Sequence, residues 1–229
     1  MMRRCTSLFM TLALLAAPLA ARAADAAPTP APSPSTAEAT FLATVTRELP
    51  KRYPNPAAAT KAGYVRYTNE DRTGAISYVN IAHWDTTDPA APAQLWYDVN
   101  GRLLGADYSV RQADAPNGPA LFGIDPNRFA KIPAHVHYVL CDKTTAKCTY
   151  GKAIGATKYT AAGGDVAHPT ANGLVKAGAI TDAASVSTVF LYPAIYDVTV
   201  WVVPNPLGAF ADANPNVKPS GMAGKGEEM

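Results

Sequence analysis

Ile132-Pro133-Ala134-His135-Val136-His137-Tyr138-Val139-Leu140-Cys141 is the stretch on which the fold turns. In an extended strand, successive side chains point to opposite faces. Read as one strand, it puts Ala134, Val136, Tyr138 and Leu140 on an apolar face. His135, His137, Val139 and Cys141 then share the other. Pro133 suits the first position of such a strand, because it has no N–H to give to a central ladder. Two of the four histidines in the chain thus stand side by side next to a cysteine. Downstream, six residues, five of them polar, separate Cys141 from Cys148, which reads as a hairpin closed by a disulfide. Closing so short a loop stabilises by about 2–3 kcal/mol in the chain-entropy view. It also fixes the register that decides which face each histidine takes.

Upstream of this strand, the chain opens with a processing signal. Arg3 and Arg4 precede a short apolar core from Leu8 to Ala20, and Ala21-Arg22-Ala23 has small residues where a signal peptidase reads. The expected organisation is a signal peptide over 1–23, a Pro/Ala-rich linker over 24–34, one globular domain over 35–213 and a flexible tail over 214–229. Cleavage after Ala23 removes three arginines and no acid from 20 basic and 18 acidic residues, leaving 17 against 18. The basicity of the full chain therefore belongs to the leader. No charge remains to hold a phosphate backbone, so nucleic acid is excluded as a partner. Cys5 leaves with the leader, and Cys141 and Cys148 remain as an even pair suited to an oxidising compartment. The mature chain is expected in the periplasm or outside the cell, with no transmembrane segment.

Helix signals begin at Ser35. Ser35 and Glu38 have the spacing of a capping box, Phe41, Leu42, Val45 and Leu49 form one stripe, and Pro50 is expected to stop the helix. A second short helix is predicted from Pro56 to Ala62, with Gly63 after it. Strands are predicted at Tyr64–Thr68 and Ala75–Trp84, the second of them central. Gln94–Val99 and Arg102–Val110 flank Asn100-Gly101, which predicts a hairpin with a type I′ turn. Gly151 to Gly164 has no clear period. Pro169 to Ala177 reads as a short helix weakened by Gly173. From Ser187 to Val203 the residues are the most β-prone in the chain. There Tyr196, Val198, Val200 and Val202 line one face, and Asp197, Thr199 and Trp201 line the other. The fold class that follows is α+β, a mainly antiparallel sheet of six or more strands with short peripheral helices.

The Pro133-Ala134-His135-Val136-His137-Tyr138 strand resembles the His-rich strand of some secreted bacterial domains of unknown function, in which a later lone His also precedes an aromatic strand ending near Pro. The likeness spans Ile132 to Pro206. It implies no activity and carries over no site.

Three chemistries compete for these residues. The first is a metal site, with His135 and His137 joined by His83 and His168. Neutral imidazoles suit zinc or copper, and a structural site needs three or four ligands around one point. The second is acid–base work by one of the paired histidines with Asp197 or Asp98. No nucleophile elbow, zinc-protease helix, phosphate loop or dinucleotide fingerprint accompanies it, which weighs against an enzyme. The third is a binding surface on Trp84, Trp96, Tyr97, Tyr108, Tyr138 and Trp201. Trp201 is its best member, because Asp197 and Thr199 flank it and imply a partly wet ring. Asp85 and Asp88 read as turn caps, with no calcium-loop pattern around them. The function expected is a non-catalytic module binding a transition metal or a small polar ligand through the His face, with Asp197 and Trp201 as ligand contacts. The alternatives are a hydrolase-like or isomerase-like enzyme on the same histidines, and a structural or interaction module.

Overall fold

The computed structural model describes residues 30–224. The expected signal peptide, most of the linker and the last five residues lie outside them. The architecture is α+β, with two antiparallel sheets and four short helices. In chain order the elements are α1 (Thr36–Arg52), α2 (Pro56–Lys61), β1 (Val65–Arg66), β2 (Ile76–Val79), β3 (Gln94–Tyr97), β4 (Leu103–Arg111), β5 (Ala130–Ile132), β6 (His135–Cys141), β7 (Cys148–Gly155), α3 (Ala156–Ala161), α4 (Ala171–Lys176), β8 (Val186–Tyr192) and β9 (Ile195–Trp201). Six strands in the order β1-β2-β3-β4-β9-β5 make the first sheet, and β7-β6-β8 make the second.

The first sheet buries its outer face under α1. The alternation of β3, β4 and β9 brings Leu95, Tyr97, Ala106, Tyr108, Val198 and Val200 against Phe41, Val45 and Leu49. Each large side chain taken fully out of water there contributes about 1.5–3 kcal/mol. The capping box at Ser35 forms, and the Glu38 carboxylate also accepts from the Arg128 guanidinium (2.6 Å) and the Asp125 N–H (3.1 Å). Burial opposes the charge on Glu38, but these donors outweigh it and hold the carboxyl down at about 2. Arg128 reaches on to the carbonyls of Pro32 and Ser33 (3.0 and 3.3 Å), and the Ala31 N–H donates to Leu207 O. The end of the expected linker is therefore docked. The second sheet turns Val136, Tyr138 and Ile154 toward Tyr159 and Leu174 of α3 and α4. Gly173 is there for a reason of space: a Cβ would stand 1.9 Å from the Tyr159 oxygen.

Two prolines join the sheets. The stretch 132–141 is not one strand, because Ile132 ends β5 in the first sheet and His135 begins β6 in the second. Pro193 makes the same break between β8 and β9. The two crossings lie beside each other, since Ile132 pairs with Ile195 and His135 pairs with Tyr192. A proline cannot donate to a ladder, so a paired ribbon that contains one in each strand is free to bend there. The Gln112 side chain donates to Ile132 O (3.4 Å) and Ile195 O (2.7 Å), while its N–H donates to Ala194 O (2.9 Å).

Other expectations change for local reasons. α1 runs through Pro50 to Arg52, where the proline forfeits only its own bond in the last turn, and the Tyr53 N–H still reaches Leu49 O. β2 is short and second from the edge, not central. Asn80 ends it by capping the next turn, so His83 sits in a 3-10 turn rather than on a strand. The hairpin at Asn100-Gly101 is not type I′, since only Gly101 has positive φ. The Asp98 carboxylate holds the N–H groups of Asn100 and Arg102, and the left-handed residue follows a tight turn. Residues 214–224 are not a free tail: Val217 is buried, and Ser220 and Gly224 bond to Glu70.

Candidate functional site

The site lies where the inner faces of the two sheets meet. β6 projects His135 and His137 from one face, as the alternation requires, and their ring centroids are 4.8 Å apart. Each pairs across the ladder with an aromatic of β8. His135 stacks on Tyr192 (4.7 Å) and His137 on Phe190 (5.7 Å), while Tyr67 meets His137 edge-on at 4.9 Å. The two rings are held in the same tautomer. His135 Nδ1 lies 2.8 Å from Pro133 O and His137 Nδ1 lies 3.0 Å from Lys152 O. A carbonyl only accepts, so each Nδ1 carries the proton and each Nε2 keeps a lone pair. Burial lowers the pKa of both rings. For His137 burial is joined by the neighbouring His135 and outweighs the Lys152 carbonyl, taking the ring to about 3. Both imidazoles are therefore neutral at physiological pH.

Opposite them, the inner face of the first sheet is polar. Gln94, Asp107, Ser109, Asp197 and Thr199 alternate with the core residues of the same strands. Among the described residues they fall in three hydrogen-bonded groups. Tyr67 donates to Gln94 Oε1, and Gln94 Nε2 lies 2.6 Å from the Tyr192 hydroxyl. Ser109, on the neighbouring strand, donates to Asp197 Oδ1 at 2.6 Å. Beside it, Asp107 accepts from Trp96 Nε1 (2.9 Å) and Thr199 Oγ1 (3.2 Å). No ion pair reaches either carboxylate among the described residues. Burial raises Asp197 to about 7 against the Ser109 bond. Burial, and then the nearby Asp197, drive Asp107 well above the usual carboxylate range. The site thus holds two acids that resist ionising, two bases that resist protonation, and two tyrosines that stay neutral.

Of the four histidines expected to share a metal, the structure brings two together. His83 Nδ1 contacts the Tyr64 hydroxyl and Pro92 O. His168 is exposed and pairs with Asp165 at 3.0 Å. Among the described residues no three His, Cys, Asp or Glu side chains gather in a way that could hold a metal ion. Asp197 lies in the polar inner face, bonded to Ser109, and makes no hydrogen bond or ion pair with either histidine among the described residues. Asp98 lies outside that face, because it caps the hairpin loop. Neither histidine is bonded to a carboxylate, so the expected His–Asp relay is not assembled. Trp201 is 2 % exposed, packs on Trp96 and donates to Ala211 O. Its expected wet ring is core, as are Trp96, Tyr97, Tyr108 and Tyr138. Trp84 is half-buried against Tyr192, and its Nε1–H has no partner among the described residues. Asp88 caps its turn and pairs with Arg52, whereas Asp85 does not cap a turn: its carboxylate reaches across to the N–H and guanidinium of Arg111. The disulfide between Cys141 and Cys148 forms at paired positions of β6 and β7.

Sequence reasoning missed Tyr67, Gln94, Asp107, Ser109 and Tyr192. A signal existed for two of them. Asp107 and Ser109 interrupt Leu103–Val110, an otherwise apolar run, and a carboxylate in a buried strand asks for an explanation. Among the described residues no helix is long and apolar enough to cross a membrane. Comparison with known family models, with curated proteins and with solved structures finds no match to this chain.

Proposed function

We propose that this chain is an exported, non-catalytic binding module whose His135–His137 face takes a small polar ligand or a transition-metal ion, zinc or copper. One observation carries the reading: both rings commit Nδ1 to a backbone carbonyl, so two neutral Nε2 acceptors stand together on one strand face. Fixing the far nitrogen in this way is how metal-binding and ligand-binding histidines are oriented. Two imidazoles are half of a tetrahedral zinc set, so zinc would need water or ligand atoms for the rest. A small donor molecule needs only the two acceptors, and the unmet Trp84 N–H beside Tyr192 offers it a complementary group. Export is supported by the leader-like N-terminus and by the oxidised Cys141–Cys148 pair.

The test is titration of the metal-stripped mature protein with zinc and with copper, reading uptake and melting temperature beside a His135→Ala/His137→Ala variant. The reading expects saturable uptake of one ion, or a melting shift with a small polar additive, lost in the double variant. Equal behaviour of the two proteins in every arm overturns it. A second reading, an acid–base enzyme, is favoured by one observation: a carboxyl raised to about 7 by burial and bonded to the Ser109 hydroxyl supplies a proton near neutral pH. A hydrolase panel with an Asp197→Asn control separates it from the first.

A further inference from the structure

A second place in the molecule has the makings of a binding site, away from the histidines. Where the β1–β2 edge of the first sheet meets the second sheet, a groove of about 470 Å³ is lined by Tyr64, Arg66, Tyr78, Tyr150, Ser187 and Thr188, among others. Arg66 is the one charged side chain in that lining among the described residues. Its guanidinium is already oriented. It lies over the Tyr150 ring, 4.3 Å from the centroid, and its Nε donates to Thr68 O at 2.9 Å. The Tyr150 wall is itself tied to the first sheet, since Asn69 Nδ2 donates to Tyr150 O and the Gly151 N–H donates to Tyr67 O. Yet the guanidinium has no carboxylate partner among the described residues. A stacked guanidinium with a free fork is the usual receptor for a planar anion. Around it stand aromatic rings, the half-exposed Val65 and the hydroxyls of Thr60, Ser187 and Thr188.

We propose that this groove binds a hydroxylated ring carboxylate of the uronic-acid type, its carboxylate on the Arg66 fork, its ring against the tyrosine wall and its hydroxyls on Ser187 and Thr188. One guanidinium matches one negative charge. A phosphate, with close to two charges at neutral pH, finds no second cation in the lining. The proposal does not rest on the histidine reading, whose residues lie outside this groove.

The experiment is a titration of the full mature protein with D-glucuronate, followed by calorimetry and by saturation-transfer NMR, with D-glucose and inorganic phosphate as parallel arms. The expected result is saturable glucuronate binding at millimolar concentration, weakened about tenfold or more by Arg66→Gln and less by Arg66→Lys. It is unchanged by His135→Ala/His137→Ala. Arg66 is half-buried at a sheet edge, so Arg66→Gln is expected to fold, and its melting curve checks this. No saturation by glucuronate overturns the proposal and leaves Arg66 as a charge that blunts an edge strand. So does binding that survives Arg66→Gln. Equal binding of glucose or of phosphate overturns the assigned ligand class.

Discussion

The two faces of the six-stranded sheet come from alternate residues of the same strands, and they have opposite characters. The outer face is hydrocarbon and phenol rings closed over by α1. The inner face carries an amide, two hydroxyls and two carboxylates under a roof of Tyr67, Tyr192 and the histidine rings. A sheet selected for stability alone has no use for the second arrangement, because buried acids without cations are commonly replaced by apolar groups at no loss. The difference teaches where stability and chemistry sit: the outer face makes the fold, and the inner face is kept polar for something other than holding the strands together.

Leu95 and Gln94 are neighbours on β3 and put this to the sharpest test. Leu95 is fully buried on the outer face, so Leu95→Ala is expected to cost about 2–5 kcal/mol in urea unfolding. Gln94→Ala removes the acceptor of Tyr67 and the donor to Tyr192, and is expected to cost about 1–3 kcal/mol. A larger cost at Gln94 than at Leu95 would break the contrast. Between the two in size lies the staple of the second sheet. Cys141→Ser/Cys148→Ser is expected to lower stability by about 2–3 kcal/mol, read as a shift in urea midpoint with the slope nearly unchanged.

How much of this was legible in the chain differs between the faces for the same reason. The outer face follows from spacing: Phe41, Val45 and Leu49 on a helix, and Ala106, Tyr108, Val198 and Val200 on strands, repeat at the periods their elements demand. The stapled hairpin is equally local, since Cys141 and Cys148 are seven residues apart. The His pair was visible as two alternate positions on one strand. What surrounds it was not. Gln94 and Tyr192 are 98 residues apart, and Ser109 and Asp197 are 88 apart. The second is a cross-strand pair of β4 and β9, set by a long-range register. The first crosses between the sheets and depends on the bend at Pro133 and Pro193, and a proline in a strand signals a start, an edge or a corner without saying which. His83 fell out of the site because Asn80 ended β2 at Val79, five residues before the sequence pattern did.

The smallest expected effect is also the most specific to the contrast. In the metal-free protein the two sets of buried groups push stability in opposite directions with pH. Asp197 titrates near 7 when folded and near 3.8 when unfolded, and burial raises Asp107 in the same direction. Between those values the folded chain keeps protons that the unfolded chain releases, so stability falls as pH rises from about 4 to about 7. His137 titrates near 3 when folded and near 6.5 when unfolded, with His135 shifted the same way. Over about pH 4 to 6.5 the unfolded chain takes up protons that the folded chain refuses, so this contribution rises with pH. Tyr67 and Tyr192 stay protonated throughout and do not enter. In the wild type these two contributions oppose each other across that window. His135→Ala/His137→Phe should expose the carboxylates and make the urea midpoint fall with pH, the Phe ring keeping the contact with Phe190. Asp107→Asn/Asp197→Asn should expose the histidines and make it rise. Slopes of the same sign in the two double variants would mean that one of these sets of groups is not held buried in its neutral form, and the polar inner face would lose that part of its chemistry.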